Sequence, residues 1–326
     1  MLKNGELRVC GESLVSRDQW LLFCKESPYS TFFHTPMWAE LFADPAMTPV
    51  ASILELSDGS SVLFPRVVKK GPVNLFNVIL SMPACTFGGW ISRTPLNENH
   101  HRVLLDYCGK YRDLLIRENP YDPVLNRVEI EGSEDDFTQS VDLSRGYDAV
   151  FAGSEYCHRK AVRNATKKGV TVEQAEEPAH WDEYFRIYLH SVERWKSGQI
   201  FSGVSYDSGL LRKIRNLDHA YRKLWLARVG GKAVAGIICF YWNDHAVAWH
   251  GAGLDDYFIY RPNNMLYNSA IRHACENGFR WFDCNPSSGI SGVIKFKESL
   301  GASRLRCRVI NRKSGLRSLI SFLRRK

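Results

Sequence analysis

The chain has 326 residues, 44% of them hydrophobic and 12% aromatic, and a formal net charge of +8 from 43 Lys+Arg against 35 Asp+Glu. That apolar content offsets the entropy of ordering a chain and excludes intrinsic disorder, while the length exceeds one compact core, so two domains are expected. No acidic residue follows Glu298 but nine Lys and Arg do, so residues 1 to 298 hold 34 basic against 35 acidic groups and the positive charge belongs to the tail.

The first residues, Met1-Leu2-Lys3-Asn4-Gly5-Glu6, put no apolar run behind a positive start, and no secretory signal is expected. Ser16-Arg17-Asp18-Gln19 is a capping box that predicts a short helix through Trp20, Leu21, Leu22 and Phe23. Thr35-Pro36 starts a second, with Trp38, Leu41 and Phe42 facing inward. Strands are predicted at Ala51 to Leu56, Val62 to Val68, Leu75 to Ser81 and Cys85 to Ile91, the first two joined by the turn Ser57-Asp58-Gly59-Ser60. The uncharged run Gly71 to Ser92 contains Pro72, Pro83, Gly88 and Gly89 and so reads as buried strands with a turn, not as a membrane span. A helix is predicted over Asn99 to Arg117, and strands at Val124 to Ile130 and Phe137 to Leu143.

The second half is expected to open with a basic helix from Glu155 to Lys168, ended by Gly169 and followed by a strand from Val170 to Gln174. Helices Ala179 to Trp195 and Asp207 to Ala220 flank a Gly/Ser-rich loop, Ser197 to Ser205. Strands Leu224 to Val229, Lys232 to Tyr241 and Ala246 to Gly251 follow, with turns at Gly230-Gly231 and Trp242-Asn243-Asp244. The order then runs helix Asn264 to Asn277, strand Trp281 to Cys284, helix Val293 to Ser299, strand Leu305 to Ile310 and a terminal helix. Both halves read as antiparallel strands, a helix and another strand, which suggests a structural duplication without a fixed-period repeat. The fold class is α/β in the α+β mixed-sheet sense.

Nine cysteines without a C-x-x-C pair predict reduced thiols in a cytoplasmic protein, with no disulfide framework and no metal site. No G-x-S-x-G, Walker A or H-E-x-x-H occurs, so the usual warrants for a hydrolase, an NTPase or a zinc protease are missing. Gly251-Ala252-Gly253 reads as a turn and not as a dinucleotide site. The strand ending at Trp249-His250-Gly251 leads through Tyr260-Arg261-Pro262-Asn263-Asn264 into a helix N-terminus. Free amides and the positive end of the helix dipole suit a phosphate or an oxyanion there, although an ordinary strand-to-helix corner with an Asn cap has the same pattern.

Three segments carry a resemblance: Pro262-Asn263-Asn264-Met265-Leu266-Tyr267, Ala274-x-x-x-Gly278-Phe279-x-x-Phe282-Asp283 and Gly292-x-x-x-Phe296-Lys297-x-x-x-Gly301. Together with the basic helix His158-Arg159-Lys160-x-x-Arg163-Asn164-Ala165, Phe33-His34-Thr35-Pro36-x-Trp38 and Gly88-Gly89, the chain resembles the Fem-type peptidyltransferases and BioF2-like acyltransferases of the GNAT superfamily. The resemblance implies a tandem of two GNAT-like acyl-CoA N-acyltransferase domains: residues 1–145, then 146–312, followed by a basic amphipathic helix at 313–326. It implies transfer of an acyl or aminoacyl group to an amine, in the synthesis of peptidoglycan or polysaccharide precursors of the cell envelope. No tightly bound cofactor is expected; the donor is a co-substrate, aminoacyl-tRNA or acyl-CoA. The usual R/Q-x-x-G-x-G/A phosphate loop is replaced by Arg261 to Leu266, with Asn264 and Leu266 at the glycine positions, which argues against acetyl-CoA and leaves other donors open.

On this resemblance Lys297, beside Phe296, is the first choice for contact with the reacting carbonyl; read alone it is a surface lysine next to Lys295. Asp283 accepts a proton from the amine, orients Lys297, or simply caps the Asn285-Pro286 turn. His250 has the intrinsic pKa of a base but sits on an apolar strand, where a core histidine is the commoner outcome. Arg261, Asn263 and Asn264 are candidate donor contacts, and Tyr260 a substrate contact. Arg159, Lys160 and Arg163, with Lys167 and Lys168, form a basic stripe suited to a diphosphate-linked acceptor or a tRNA backbone, or a plain solvated face; Arg163 is the preferred phosphate contact through its bidentate fork.

Leu316, Leu319, Ile320 and Leu323 make one apolar face among basic residues, fitting a helix at a membrane surface or one docked on its own core. The expected partners are therefore a small-molecule or lipid-linked amine acceptor, aminoacyl-tRNA, and the inner membrane face contacted peripherally through that helix. Competing functions are an acetyl-CoA-dependent N-acetyltransferase of a nucleotide sugar, a non-catalytic nucleic-acid-binding module, and a silent scaffold.

Overall fold

The computed structural model describes residues 6–71, 77–197 and 206–313, so the predicted terminal helix and most of the Ser197 to Ser205 loop lie outside the described residues. The chain forms two units, Met1–Phe137 with Arg306–Lys326, and Thr138–Leu305. The expected boundary at 145/146 moves to 137/138, and the segment after 305 returns to the first unit.

The first unit begins with β1 (Val9–Leu14), which the sequence reading missed because most of it is exposed. The capping box holds: Ser16 accepts from the Gln19 amide and Gln19 from the Ser16 amide at the start of α1 (Arg17–Glu26). Thr35 caps α2 (Pro36–Leu41). β2 (Met47–Leu56) and β3 (Ser61–Lys69) form a hairpin whose Gly59 has φ +89°, a conformation that favours glycine. β4 (Val78–Leu80) and the short β5 (Ile91–Ser92) both pair with β3. The predicted strand at Cys85 to Ile91 fails over most of its length because Ala84 and Cys85 take left-handed φ values of 57° and 54°.

The helix predicted over Asn99 to Arg117 is half right. α3 (Glu98–Tyr107) ends in a 3-10 turn at Cys108–Lys110, and the chain re-enters the sheet as β6 (Leu114–Arg117), whose burial alternates as a strand's does. The predicted strand at Val124 to Ile130 is a loop, since the Asp122 carboxylate accepts from the amides of Val124 and Leu125 and winds them into a turn. With β7 (Ser133–Glu134) and β15 (Val309–Arg312), the sheet runs β1-β2-β3-β4-β6-β15-β7, with β4 and β6 parallel.

The second unit contains β8 (Phe137–Asp142), α4 (Tyr147–Gly153), α5 (Tyr156–Lys167), β9 (Thr171–Ala175), α6 (Pro178–Ser197) and α7 (Ser208–Arg215). It continues through β10 (Arg222–Val229), β11 (Lys232–Trp242), β12 (His245–Gly253), α8 (Pro262–Glu276), β13 (Trp281–Asp283), α9 (Ser291–Ser299) and β14 (Ser303–Arg306). Its sheet runs β14-β8-β13-β12-β11-β10-β9, with β12 and β13 parallel and α8 as their crossover. On one face Gly236 lets Tyr184 of α6 lie against β11, since a Cβ there would stand 2.6 Å from that ring. On the other, Leu266, Ala270 and Ala274 of α8 pack into the core.

Both sheets are mixed, and both repeat one plan: an antiparallel run, then a helix crossover to a parallel strand. The first is completed by a strand from the far end of the sequence, β15 beside β6, and the second by its own first strand, β8, beside β13. The single strand predicted at Leu305 to Ile310 is therefore two, β14 and β15 in different sheets, split where Cys307 and Arg308 turn inward.

Candidate functional site

β12 and β13 are paired only at His245–Val247 with Trp281–Asp283. β12 then continues to Gly253 with a register shift at Trp249, whereas β13 ends and Asn285 takes φ 62°. The strands part, and the gap is a cavity of about 290 Å³. At one end lie Lys297, Phe296, Cys284 and Asn285, and at the other Arg194, Phe258, Asn263 and Gly253. Trp195, Ile237, Trp249 and Tyr267 also face it. Among the described residues its lining holds two cations and no carboxylate or imidazole. It therefore favours an anionic group or a carbonyl oxygen that gains negative charge.

Lys297 is 5% exposed, with its ammonium 2.6 Å from the Asn285 carbonyl, 2.9 Å from the Ser287 hydroxyl and 3.4 Å from the Pro286 carbonyl. α9 presents it inward next to Ser299 and Leu300 of the core, so it is no surface lysine. Asp283 is fully buried and does not line the cavity. Its carboxylate accepts from the Asn285 amide at 2.5 Å and from the Thr138 hydroxyl at 2.7 Å, which makes it the cap of the turn that Lys297 grips.

Of the other sequence candidates, Phe296 and Asn263 line the cavity, and the rest are placed elsewhere. His250 points to the α6 face, 2.6 Å from the Tyr184 hydroxyl and 4.9 Å from the Tyr188 ring centre, and burial lowers its pKa to about 4. It is neutral near pH 7 and does not reach the cavity lining, because the strand alternates faces. Asn264 bonds His158 at 3.1 Å instead of facing a donor. Arg261 is exposed in the left-handed region (φ 61°), and Tyr260 packs against Tyr257 and the Lys168 ammonium. Arg159 donates to the carbonyls of Ala152 and Ser154 and is held to its own chain. Lys160, Arg163 and Lys167 stand exposed on α5, opposite its buried His158, Val162 and Ala165.

His158, like His250, is pushed down to about 4 by burial. An unfolded histidine titrates near 6.5, so between that value and 4 the unfolded chain binds more protons. Stability is therefore present above pH 6.5 and is lost on acidification, by about 1.4 kcal/mol per pH unit for each ring. Urea melts at pH 7.5, 6 and 5 are expected to show a falling midpoint. A midpoint that rises toward pH 5 would contradict both assignments.

Tyr267, Arg194, Trp195 and Cys284 are the site residues the sequence did not give up. Tyr267 lies in the recognised Pro262 to Tyr267 segment, but its direction depends on α8's rotation against the sheet; Arg194 and Trp195 sit on a helix distant in sequence. The Cys284 thiol is pushed up to about 12 by burial, with Lys297 drawing it down and Asp283 up. It is a thiol at neutral pH and a poor nucleophile. Among the described residues no cluster of His, Cys, Asp or Glu is placed to hold a metal ion, and no helix is long and apolar enough to cross a membrane.

Residues 155–291 match the family model described as an acetyltransferase (GNAT) domain. No curated protein matches the chain. Among solved structures, FemX is similar with a TM-score of 0.68 and 12% identity, over 91% of this chain and 96% of that one. A conserved protein of unknown function from Bacteroides thetaiotaomicron gives 0.58 at 12% identity over 94% and 100% of the two chains. A tandem GNAT protein from the clavulanic acid biosynthesis pathway gives 0.50 at 10% identity over 95% and 100%. At these identities the likeness is one of fold, and it spans both halves of the chain.

Proposed function

We propose that this chain, whose residues 155–291 match the family model described as an acetyltransferase (GNAT) domain, transfers an acyl or aminoacyl group directly from a donor to an amine acceptor, in the opening between β12 and β13. The cavity itself carries the reading: a strand edge left uncovered from Ala248 to Gly253, cations at both ends and, among the described residues, no acidic side chain. An extended donor lies along that edge with its carbonyl toward Lys297 and Phe296. The amine nitrogen forms the C–N bond, the donor's C–S or C–O bond breaks, and the leaving atom takes up a proton in place of the one the amine sheds. Holding both reactants side by side in this opening supplies the orientation that makes such a step fast.

Direct transfer without an acyl-enzyme agrees with Cys284 staying a thiol. Among the described residues no carboxylate or imidazole lines the cavity to deprotonate the amine, which favours an acceptor that arrives neutral and whose own pKa sets the pH dependence. The side chains at the two missing glycines turn away, Asn264 to His158 and Leu266 into the core, which keeps acyl-CoA a candidate beside aminoacyl-tRNA. The Fem-type resemblance supports an acceptor among cell-envelope precursors, small or lipid-linked, with Lys160, Arg163 and Lys167 meeting its phosphates.

A thermal-shift panel of acetyl-CoA, aminoacyl-tRNA, uncharged tRNA and a UDP-linked muropeptide tests this. A donor at about 100 times its Kd adds about 2.7 kcal/mol to the folded state. Stabilisation by an acyl donor is expected. Equal stabilisation by charged and uncharged tRNA, with none by acetyl-CoA or the muropeptide, would favour a nucleic-acid-binding module instead.

A further inference from the structure

An ammonium has three N–H donors, and those of Lys297 have three acceptors already, the carbonyls of Asn285 and Pro286 and the hydroxyl of Ser287. A carbonyl oxygen entering beside Phe296 needs a different donor. Tyr267, in the second turn of α8, supplies one. Its ring stands edge-on to Phe296 at 5.2 Å, it lines the cavity, and its hydroxyl makes no hydrogen bond among the described residues. Gly251 keeps the approach open: a Cβ there would lie 3.9 Å from that hydroxyl and 3.1 Å from Ile237. Burial pushes the phenol far above its ordinary pKa, so the O–H is retained at neutral pH. Arg194 and Asn263 also carry N–H groups, but they sit at the Gly253 end, away from Lys297, and the Asn285 side-chain amide at the Lys297 end donates to the Trp249 carbonyl at 3.3 Å.

We propose that the Tyr267 hydroxyl is the hydrogen-bond donor to the reacting carbonyl oxygen, while Lys297 acts as a positioning residue that holds the 285–287 turn and places a positive charge behind it. This rests on the acyl-transfer reading above. When the C–N bond forms, the carbonyl π pair moves onto oxygen and strengthens the O–H···O bond; no proton leaves Tyr267. When the C–S or C–O bond breaks, that pair returns to carbon, and the leaving atom departs with its bonding pair and takes up a proton in place of the one shed by the amine. A donor that binds the developing oxyanion better than the ground-state carbonyl lowers the barrier without tightening donor binding.

The experiment measures acyl transfer to hydroxylamine, a small neutral amine, from acetyl-CoA and from a mixture of aminoacyl-tRNAs, for the full chain and for Tyr267→Phe. The variant is expected to lose about 100-fold in kcat with the donor KM within about twofold and an unchanged melting temperature, because only an unbonded oxygen is removed. Wild-type kcat in Tyr267→Phe overturns the assignment and leaves the acyl-transfer reading standing. Absence of transfer by the wild type from every donor overturns that reading and the assignment with it. If Tyr267→Phe does not fold, Gly251→Ala decides: a methyl group beside the hydroxyl is expected to lower kcat at least tenfold, and unchanged kcat overturns the proposal.

Discussion

Lys297→Met is expected to lower turnover at least about 100-fold and to cost about 1–3 kcal/mol of stability. Methionine keeps the unbranched stem that crosses the core side of α9, so packing is largely conserved. What disappears is the ammonium that satisfies the Asn285 carbonyl and the Ser287 hydroxyl, together with the positive charge at that end of the cavity. The 285–287 turn then loses its anchor, although Asp283 still caps it from the other side. Lys297→Arg is not expected to rescue the loss, because a planar guanidinium cannot aim at acceptors that converge on one nitrogen. Urea melts and steady-state turnover report the two effects separately. A variant that melts earlier yet turns over normally would remove Lys297 from the reaction and leave it as a structural residue.

Arg308→Ala carries the largest expected stability loss, about 3–5 kcal/mol. Arg308 is completely buried and meets Glu118 through two side-chain bonds of 2.7 and 2.8 Å, and two more of its N–H groups reach the carbonyls of Val128 at 2.7 Å and Leu125 at 2.9 Å. Truncation strands a buried carboxylate and two carbonyls at once. Glu118 is already held above the ordinary carboxylate range by burial, with Arg308 pulling the other way, so losing the arginine pushes it further up. The double variant Glu118→Gln/Arg308→Met is expected to recover part of the loss, as removing both charges removes the penalty of leaving one alone. Denaturant unfolding measures it; a loss below about 1 kcal/mol for Arg308→Ala would contradict the buried-pair reading.

Much of the fold was legible because it rests on local rules. The Ser16 box, the Thr35-Pro36 start, the Gly59 hairpin and the strands of β10 to β12 follow from capping, turn chemistry and alternation. The errors fall where side chains or distant strands decide. Leu114 and Ile116 extend the apolar spacing of α3 but pair with β4 and β15, and Asp122 bends a stretch that its β-branched residues favour as a strand. Among site residues, Phe296, Lys297 and Asn263 reach the cavity and were carried by motif resemblance; His250, Asp283 and Asn264 differ from them only in the face on which each lies. For the strand residues that face depends on the bulge at Trp249 and the end of pairing at Val247 and Asp283, which no one-dimensional pattern displays.

The strand that the segment after residue 305 supplies to the first sheet bears on how the chain is made. During synthesis the first sheet must wait for β15, about 190 residues after the β6 strand it joins, before Arg308 can neutralise Glu118. Until then a sheet edge beside β6 stays open and a buried-to-be carboxylate faces water, the kind of exposed intermediate that chaperones hold. Cutting the gene at the apparent boundary would leave residues 1–137 without β15 and 138–305 with the first residue of β8 missing, so neither half is a natural expression unit. A permuted chain that places residues 306–313 ahead of the first unit would let that sheet close early, and comparing its refolding rate with the native order would measure the delay that the connectivity imposes.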